Sequence, residues 1–92
     1  MTTDCRRTLR IVNEKGLHAR ASAKFVETVE RHEAAAEVAR DGLLATGDSI
    51  MGLLMLAASK GTTIEVQTTG PDAEALADAL EKLVADRFGE DF

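Results

Sequence analysis

The chain has no tryptophan, no tyrosine, one proline and one cysteine, and its only aromatic residues are Phe25, Phe88 and Phe92. Each scarcity excludes something. Three phenylalanines cannot build the base-stacking platforms that single-stranded nucleic acid requires, so no nucleic-acid partner is expected. The single thiol, Cys5, has no second cysteine to pair with or to share a metal; it reads as a bystander and fits a reducing cytoplasm. With 7 Gly and 1 Pro the sequence is neither collagen-like nor low-complexity. The longest apolar run, residues 50–58, falls well short of the roughly 20 residues that span a bilayer and reads as a buried helix, so no membrane partner is expected. The first twenty residues, with Asp4, Arg6, Arg7 and Arg10, lack the apolar core of a signal peptide.

What is present is a short, charged, foldable chain. Its 92 residues are 45% apolar and 29% charged, which excludes disorder and fits one small domain over residues 1–92. The net charge is −5, from 11 basic and 16 acidic side chains, and such a chain is a poor general binder of phosphate backbones. The charge is uneven. Residues 1–32 hold seven basic and four acidic groups, whereas residues 33–92 hold four and twelve. The basic part can face a phosphate or an acidic partner, or be ordinary solvated surface.

Periodicity supplies the elements. Residues 8–12 alternate and are β-rich, and Lys15-Gly16 marks a turn. From Ala19 the period becomes helical: Ala19, Ser22, Ala23, Phe25, Val26 and Val29 share one face, with Arg20, Lys24, Glu27 and Arg31 opposite, until about His32. Glu27 and Arg31 are spaced for an i,i+4 ion pair. Residues 36–40 and 43–46 flank Asp41-Gly42, a two-residue hairpin signal. Asp48-Ser49 offers helix-capping side chains to residues 50–59, with Gly61 closing that helix. Residues 62–68 alternate as a strand. Gly70-Pro71-Asp72 opens a last helix whose buried stripe is Leu76, Leu80, Leu83 and Val84. The order βαββαβα predicts an α+β open-faced β-sandwich: a four-stranded sheet with three helices on one face.

Chemistry concentrates in residues 15–22. A glycine turn delivers His18 to the mouth of a helix, and Arg20 follows two residues later. Free backbone N–H groups at a helix start favour an anion, and the same dipole leans His18 toward its neutral, nucleophilic form. A phosphoryl group carried by the imidazole would meet those N–H groups and the Arg20 fork. The plainer alternative is a histidine that caps the helix or lies on the surface. A metal site is disfavoured, because His32 stands fourteen residues away and no Cys, His or carboxylate cluster joins the two. No nucleophile elbow marks a Ser-His-Asp triad. In the second segment, residues 46–56, the helix is apolar almost all round, more than so small a domain can bury. Some of Ile50, Met51, Leu54 and Met55 should stay exposed as a contact patch, unless the helix is wholly core. Ser49 reads first as an N-cap whose hydroxyl is also open to phosphorylation.

At these two segments the sequence resembles the HPr family, the histidine-phosphorylatable phosphocarriers of the bacterial phosphotransferase system. The matching motifs are Gly16-Leu17-His18-Ala19-Arg20 and Ser49-Ile50-Met51-Gly52-Leu53, with Gly61, Gly70-x-Asp72-Ala73 and the final helix. The resemblance implies an antiparallel sheet, and phosphoryl transfer to His18 Nδ1 from a phosphoenolpyruvate-dependent enzyme I, then onward to a IIA-type protein. It implies Arg20 as the phosphate-binding partner and Ser49 as the counterpart of the serine modified by HPr kinase/phosphorylase. Ile50, Met51 and Leu54 would form the docking patch, and Lys24 is placed with them as partner-binding. It implies no cofactor or metal for the carrier, although enzyme I uses Mg²⁺ for its own phosphorylation. A monomeric cytoplasmic relay protein, not a stand-alone enzyme, is expected. Three features depart from the common pattern: Ala21 where proline is frequent, Asp48 where lysine often precedes the serine, and the pair Glu27 and Glu30 on a face that is basic in several sugar-branch members. The run from His18 to Val26 looks more like the nitrogen-related branch. Two alternatives are a purely regulatory interaction module read through Ser49 and the apolar patch, and a small acylphosphatase-like hydrolase.

Overall fold

The computed structural model describes residues 4–92. Seven elements follow the order anticipated: β1 (Asp4–Arg10), α1 (Ala19–Glu30), β2 (Ala35–Arg40), β3 (Leu43–Thr46), α2 (Ile50–Met55), β4 (Thr63–Thr69) and α3 (Ala73–Ala85), followed by a 3₁₀ turn at Arg87–Gly89. The strands form one antiparallel sheet in the order β1-β4-β2-β3. Alternation decides which side is covered. Leu9, Ala36, Val38, Ala45, Ile64 and Val66 are buried under the three helices, whereas Thr8, Glu37, Leu44 and Glu65 face solvent on the other side. This is the open-faced sandwich expected from the sequence.

The Asp41-Gly42 hairpin takes positive φ at both central residues, 49° and 81°, as a two-residue turn between right-twisted strands requires. The core beneath the sheet joins Phe25, Val26 and Val29 of α1 to Leu53 of α2 and Leu76, Leu80 and Val84 of α3. Phe88, beyond α3, is fully buried with them.

Several boundaries and faces differ from expectation. β1 occupies Asp4–Arg10 rather than residues 8–12; Ile11 keeps pairing outside the strand, donating to Thr62 O (2.9 Å) and accepting from Gly61 N (2.8 Å). On α1 the buried face includes Ala21 and omits Ala19, because packing against the core rotates the stripe toward the side bearing Phe25. Glu27 and Arg31 form no ion pair; Arg31 is the C-cap, with its backbone N–H on Glu27 O and Thr28 O. α2 ends at Met55, not near Ser59. Ala57 turns to φ 50°, and the Ala58 carbonyl instead accepts from Leu17 N–H (2.9 Å). The apolar run gave no stop there, since this break is made by a contact with a distant turn. At α3, Asp72 is the N-cap residue but does not cap with its side chain; its carboxylate accepts from Glu33 N–H (2.8 Å) and ties the helix start to the end of the α1–β2 connection.

Candidate functional site

The turn before α1 is built by close backbone approach. Gly16 has φ 64°, and a Cβ placed there would lie 2.4 Å from Ala58 O and 2.9 Å from Ser59 Cα. Only glycine lets this turn lie against the segment leaving α2. Asn13, fully buried, braces the turn by donating to Gly16 O (2.9 Å). Leu17 is buried and its N–H is held by Ala58 O, so the next residue is set at the helix mouth.

That residue is His18, the N-cap of α1, with extended backbone (φ −77°, ψ −177°). Its Nδ1 accepts from the Arg20 backbone N–H (3.3 Å). Its Nε2 is hydrogen bonded to Glu90 Oε2, from the far end of the chain. The two contacts assign the ring: a nitrogen accepting from an N–H bears a lone pair, and the nitrogen facing a carboxylate bears the proton. The His18 side chain is 27% exposed, so it is half-buried beneath the C-terminal segment and less open than the sequence suggests.

Glu90 is the residue that sequence reasoning missed. Its other oxygen accepts from Asn13 Nδ2 (3.0 Å), and its side chain is only 17% exposed. Burial pushes its carboxyl up, but the hydrogen bonds from Asn13 and His18, with the charge of His18 when its ring is protonated and that of Lys15, outweigh this and hold it below the usual carboxylate range. No local pattern signals Glu90; only folding brings it across from the other end of the chain.

An open cleft of about 350 Å³ lies over this arrangement, lined by Lys15, His18, Arg20, Lys24 and Glu90 among others. Arg20 is exposed and makes no ion pair among the described residues, so its fork is free to meet an anion. Lys24, expected to face a partner, is half-buried and donates to Phe88 O (2.6 Å), which gives it an intramolecular task holding down the tail. His32 is far along α1 with Nδ1 on Thr28 O (2.7 Å), and it does not join His18. A second cleft, of about 330 Å³, lies on the open sheet face around Arg6, Glu37, Leu44 and Glu65, away from the histidine.

Ser49 is the N-cap of α2; its hydroxyl accepts from Gly52 N–H (3.0 Å). Beside it, Ile50 and Met51 are exposed, Met51 by 70%, and Met55 by 72%, whereas Leu54 is half-buried. The surplus of apolar surface on α2 is therefore real, and it runs along the turn exposed next to the serine.

Residues 5–86 match the PTS-HPr family, described as the PTS HPr component phosphorylation site. The phosphocarrier protein HPr of Cupriavidus necator is 45% identical over 80 residues, covering 87% of this chain and 90% of that protein. That of Neisseria meningitidis serogroup A is 44% identical over 85 residues, covering 92% and 96%. The crystal structure of HPr-C-His from Thermoanaerobacter tengcongensis superposes with a TM-score of 0.90 at 34% identity, over 96% of this chain and 99% of that one. From the His18 turn to the last helix, sequence and fold agree: the chain belongs to the HPr family and has the role of a phosphocarrier of the phosphotransferase system.

Proposed function

We propose that the phosphoryl group is carried on His18 Nδ1, accepted from a phosphoenolpyruvate-dependent enzyme I and handed to a IIA-type protein. One observation carries the reading. Nδ1 presents its lone pair at the mouth of α1, where the Arg20 N–H already points to it. A phosphoryl group bonded there meets backbone N–H groups, the positive end of the helix dipole and the free guanidinium of Arg20.

The geometry suits a carrier rather than a store. Each exposed charge–dipole term is worth about 0.3–1 kcal/mol. Stabilisation of that size holds the group without trapping it. Transfer needs in-line approach of a donor histidine to Nδ1, for which the long contact from the Arg20 N–H must give way; the cleft over His18 is where the partner would enter. The exposed face of α2, with Ile50 and Met51, is the apolar surface on which such partners would dock, with Leu54 beneath it.

Ser49 is read as a regulatory site on the same surface. A phosphate there would be welcomed by the start of α2 but would add about −1.5 to −2 charge beside Ile50 and Met51. Desolvating that charge opposes docking. A chain acting alone in the cytoplasm as a monomer completes the proposal, since the docking surface must remain free.

The experiment is a reconstituted relay. The chain is mixed with enzyme I, labelled phosphoenolpyruvate and a IIA protein, each omitted in turn. The proposal expects label on the chain only with enzyme I, and its discharge on adding IIA. Hydrolysis of acetyl phosphate by the chain alone would favour the hydrolase alternative. Binding of partners without any labelling would favour the purely regulatory module.

A further inference from the structure

The chain beyond α3 is held in an unusual shape. Arg87, Phe88 and Gly89 take positive φ in succession, at 56°, 55° and 78°. Two non-glycine residues in this region are unfavourable, and such backbone persists only where the surroundings over-determine it. Here they do. The Phe88 ring is fully buried in the core, Lys24 Nζ grips Phe88 O, and Glu14 N–H donates to Phe92 O (3.1 Å). The segment is a strap pinned at both ends, and between the pins it carries Glu90 onto His18 Nε2. Asn13, which braces the His18 turn, also orients the Glu90 carboxylate.

We propose that Glu90 is a positioning residue for phosphoryl transfer: it keeps the ring proton of His18 on Nε2, so that Nδ1 holds the attacking lone pair, and it balances the charge that the ring gains. The inference rests on the reading of His18 as the acceptor. In the transfer, the Nδ1 lone pair forms the N–P bond while the donor's P–N bond breaks, and that pair stays on the donor nitrogen. The ring keeps its Nε2–H and so becomes formally cationic, against the Glu90 carboxylate. No proton has to leave for the step to finish. In the onward step the ring departs as neutral imidazole, a far better leaving group than imidazolate. Glu90 therefore serves both directions. The other charged groups around the cleft are Glu14 and Lys15 from the turn, Arg20 and Lys24 from α1, and Asp91 from the strap; Glu90 is the one that contacts the ring.

The test uses the full chain and two variants. A glutamine side chain retains an oxygen that accepts from Nε2–H but has no charge, whereas alanine removes both. Nitrogen NMR of the imidazole, recorded where the ring is neutral, should show the Nε2–H form in wild type and in Glu90→Gln, and a mixture of the two forms in Glu90→Ala. Phosphoryl acceptance from enzyme I should slow by about tenfold in Glu90→Gln, as expected for loss of a charge-assisted hydrogen bond, and further in Glu90→Ala. Wild-type rates and an unchanged ring form in both variants would overturn the inference. So would rate losses that merely track lost folding, read from the melting temperature. Failure of the wild type itself to be labelled on His18 would instead overturn the reading on which the inference rests.

Discussion

Replacing Gly16 by alanine probes the packing that sets His18 at the helix mouth. Two penalties are legible in the structure. The residue has φ 64°, a conformation that costs an L-residue about 1–2 kcal/mol. The added Cβ would also lie 2.4 Å from Ala58 O and 2.9 Å from Ser59 Cα. Both are backbone atoms that cannot rotate away, so the two segments must part, at an overpacking cost of about 1–3 kcal/mol. Together the penalties come to about 2–5 kcal/mol, or about 10–30 °C of melting temperature in a domain of this size. Gly42 is the internal control. Its φ is 81°, yet a Cβ there meets nothing within 4 Å, so Gly42→Ala carries the conformational penalty alone, about 1–2 kcal/mol. Thermal unfolding followed by circular dichroism measures both variants. Gly16→Ala should melt well below Gly42→Ala and should also accept phosphoryl more slowly, because the turn that bears His18 is displaced. Equal melting temperatures for the two would refute the claim that close approach to the Ala58 segment holds this turn.

Three further outcomes are expected. Arg20→Ala should slow phosphoryl acceptance while leaving the melting temperature within a few degrees, since the side chain is exposed and makes no ion pair among the described residues; paired kinetics and unfolding check this, and equal rates with a lowered melting point would contradict it. Ser49→Ala should lose about 1 kcal/mol with the cap to Gly52, whereas Ser49→Asp should keep the cap and instead weaken the apparent affinity for enzyme I; transfer rates at varied carrier concentration separate the two effects. Glu90, whose folded carboxyl lies below the ordinary value of about 4.3, contributes stability that is complete above that value and is lost as pH falls through the lowered folded one; stability curves in acid should therefore be flatter for Glu90→Gln than for wild type.

What the sequence made legible was local. Asp41-Gly42 announced the hairpin, alternation in residues 62–68 announced β4, and Gly16-Leu17-His18 announced a histidine at a helix start, because each depends on neighbours within a turn or two. Features made by distant contacts were not legible. The end of α2 lay hidden in an apolar run that continues to residue 58, since what breaks the helix is the Ala58 carbonyl turning to Leu17. Lys24 read as a partner-binding cation on the polar face of its helix, yet its ammonium reaches the carbonyl of Phe88. Glu90 read as one of twelve acids in the second part of the chain. It gains its meaning from a buried phenylalanine that bends the chain back, a long-range effect for which no periodicity exists.

The central claim is that His18 carries the phosphoryl group on Nδ1. The most direct measurement is phosphorus and nitrogen NMR of the chain after enzyme I and phosphoenolpyruvate have acted on it, with His18→Ala in parallel. The account predicts one acid-labile, base-stable phosphoryl group per chain, with phosphorus coupled to Nδ1 of His18, and none in a folded His18→Ala variant. A phosphorus resonance coupled to Nε2 or to His32, or undiminished labelling of His18→Ala, would contradict it.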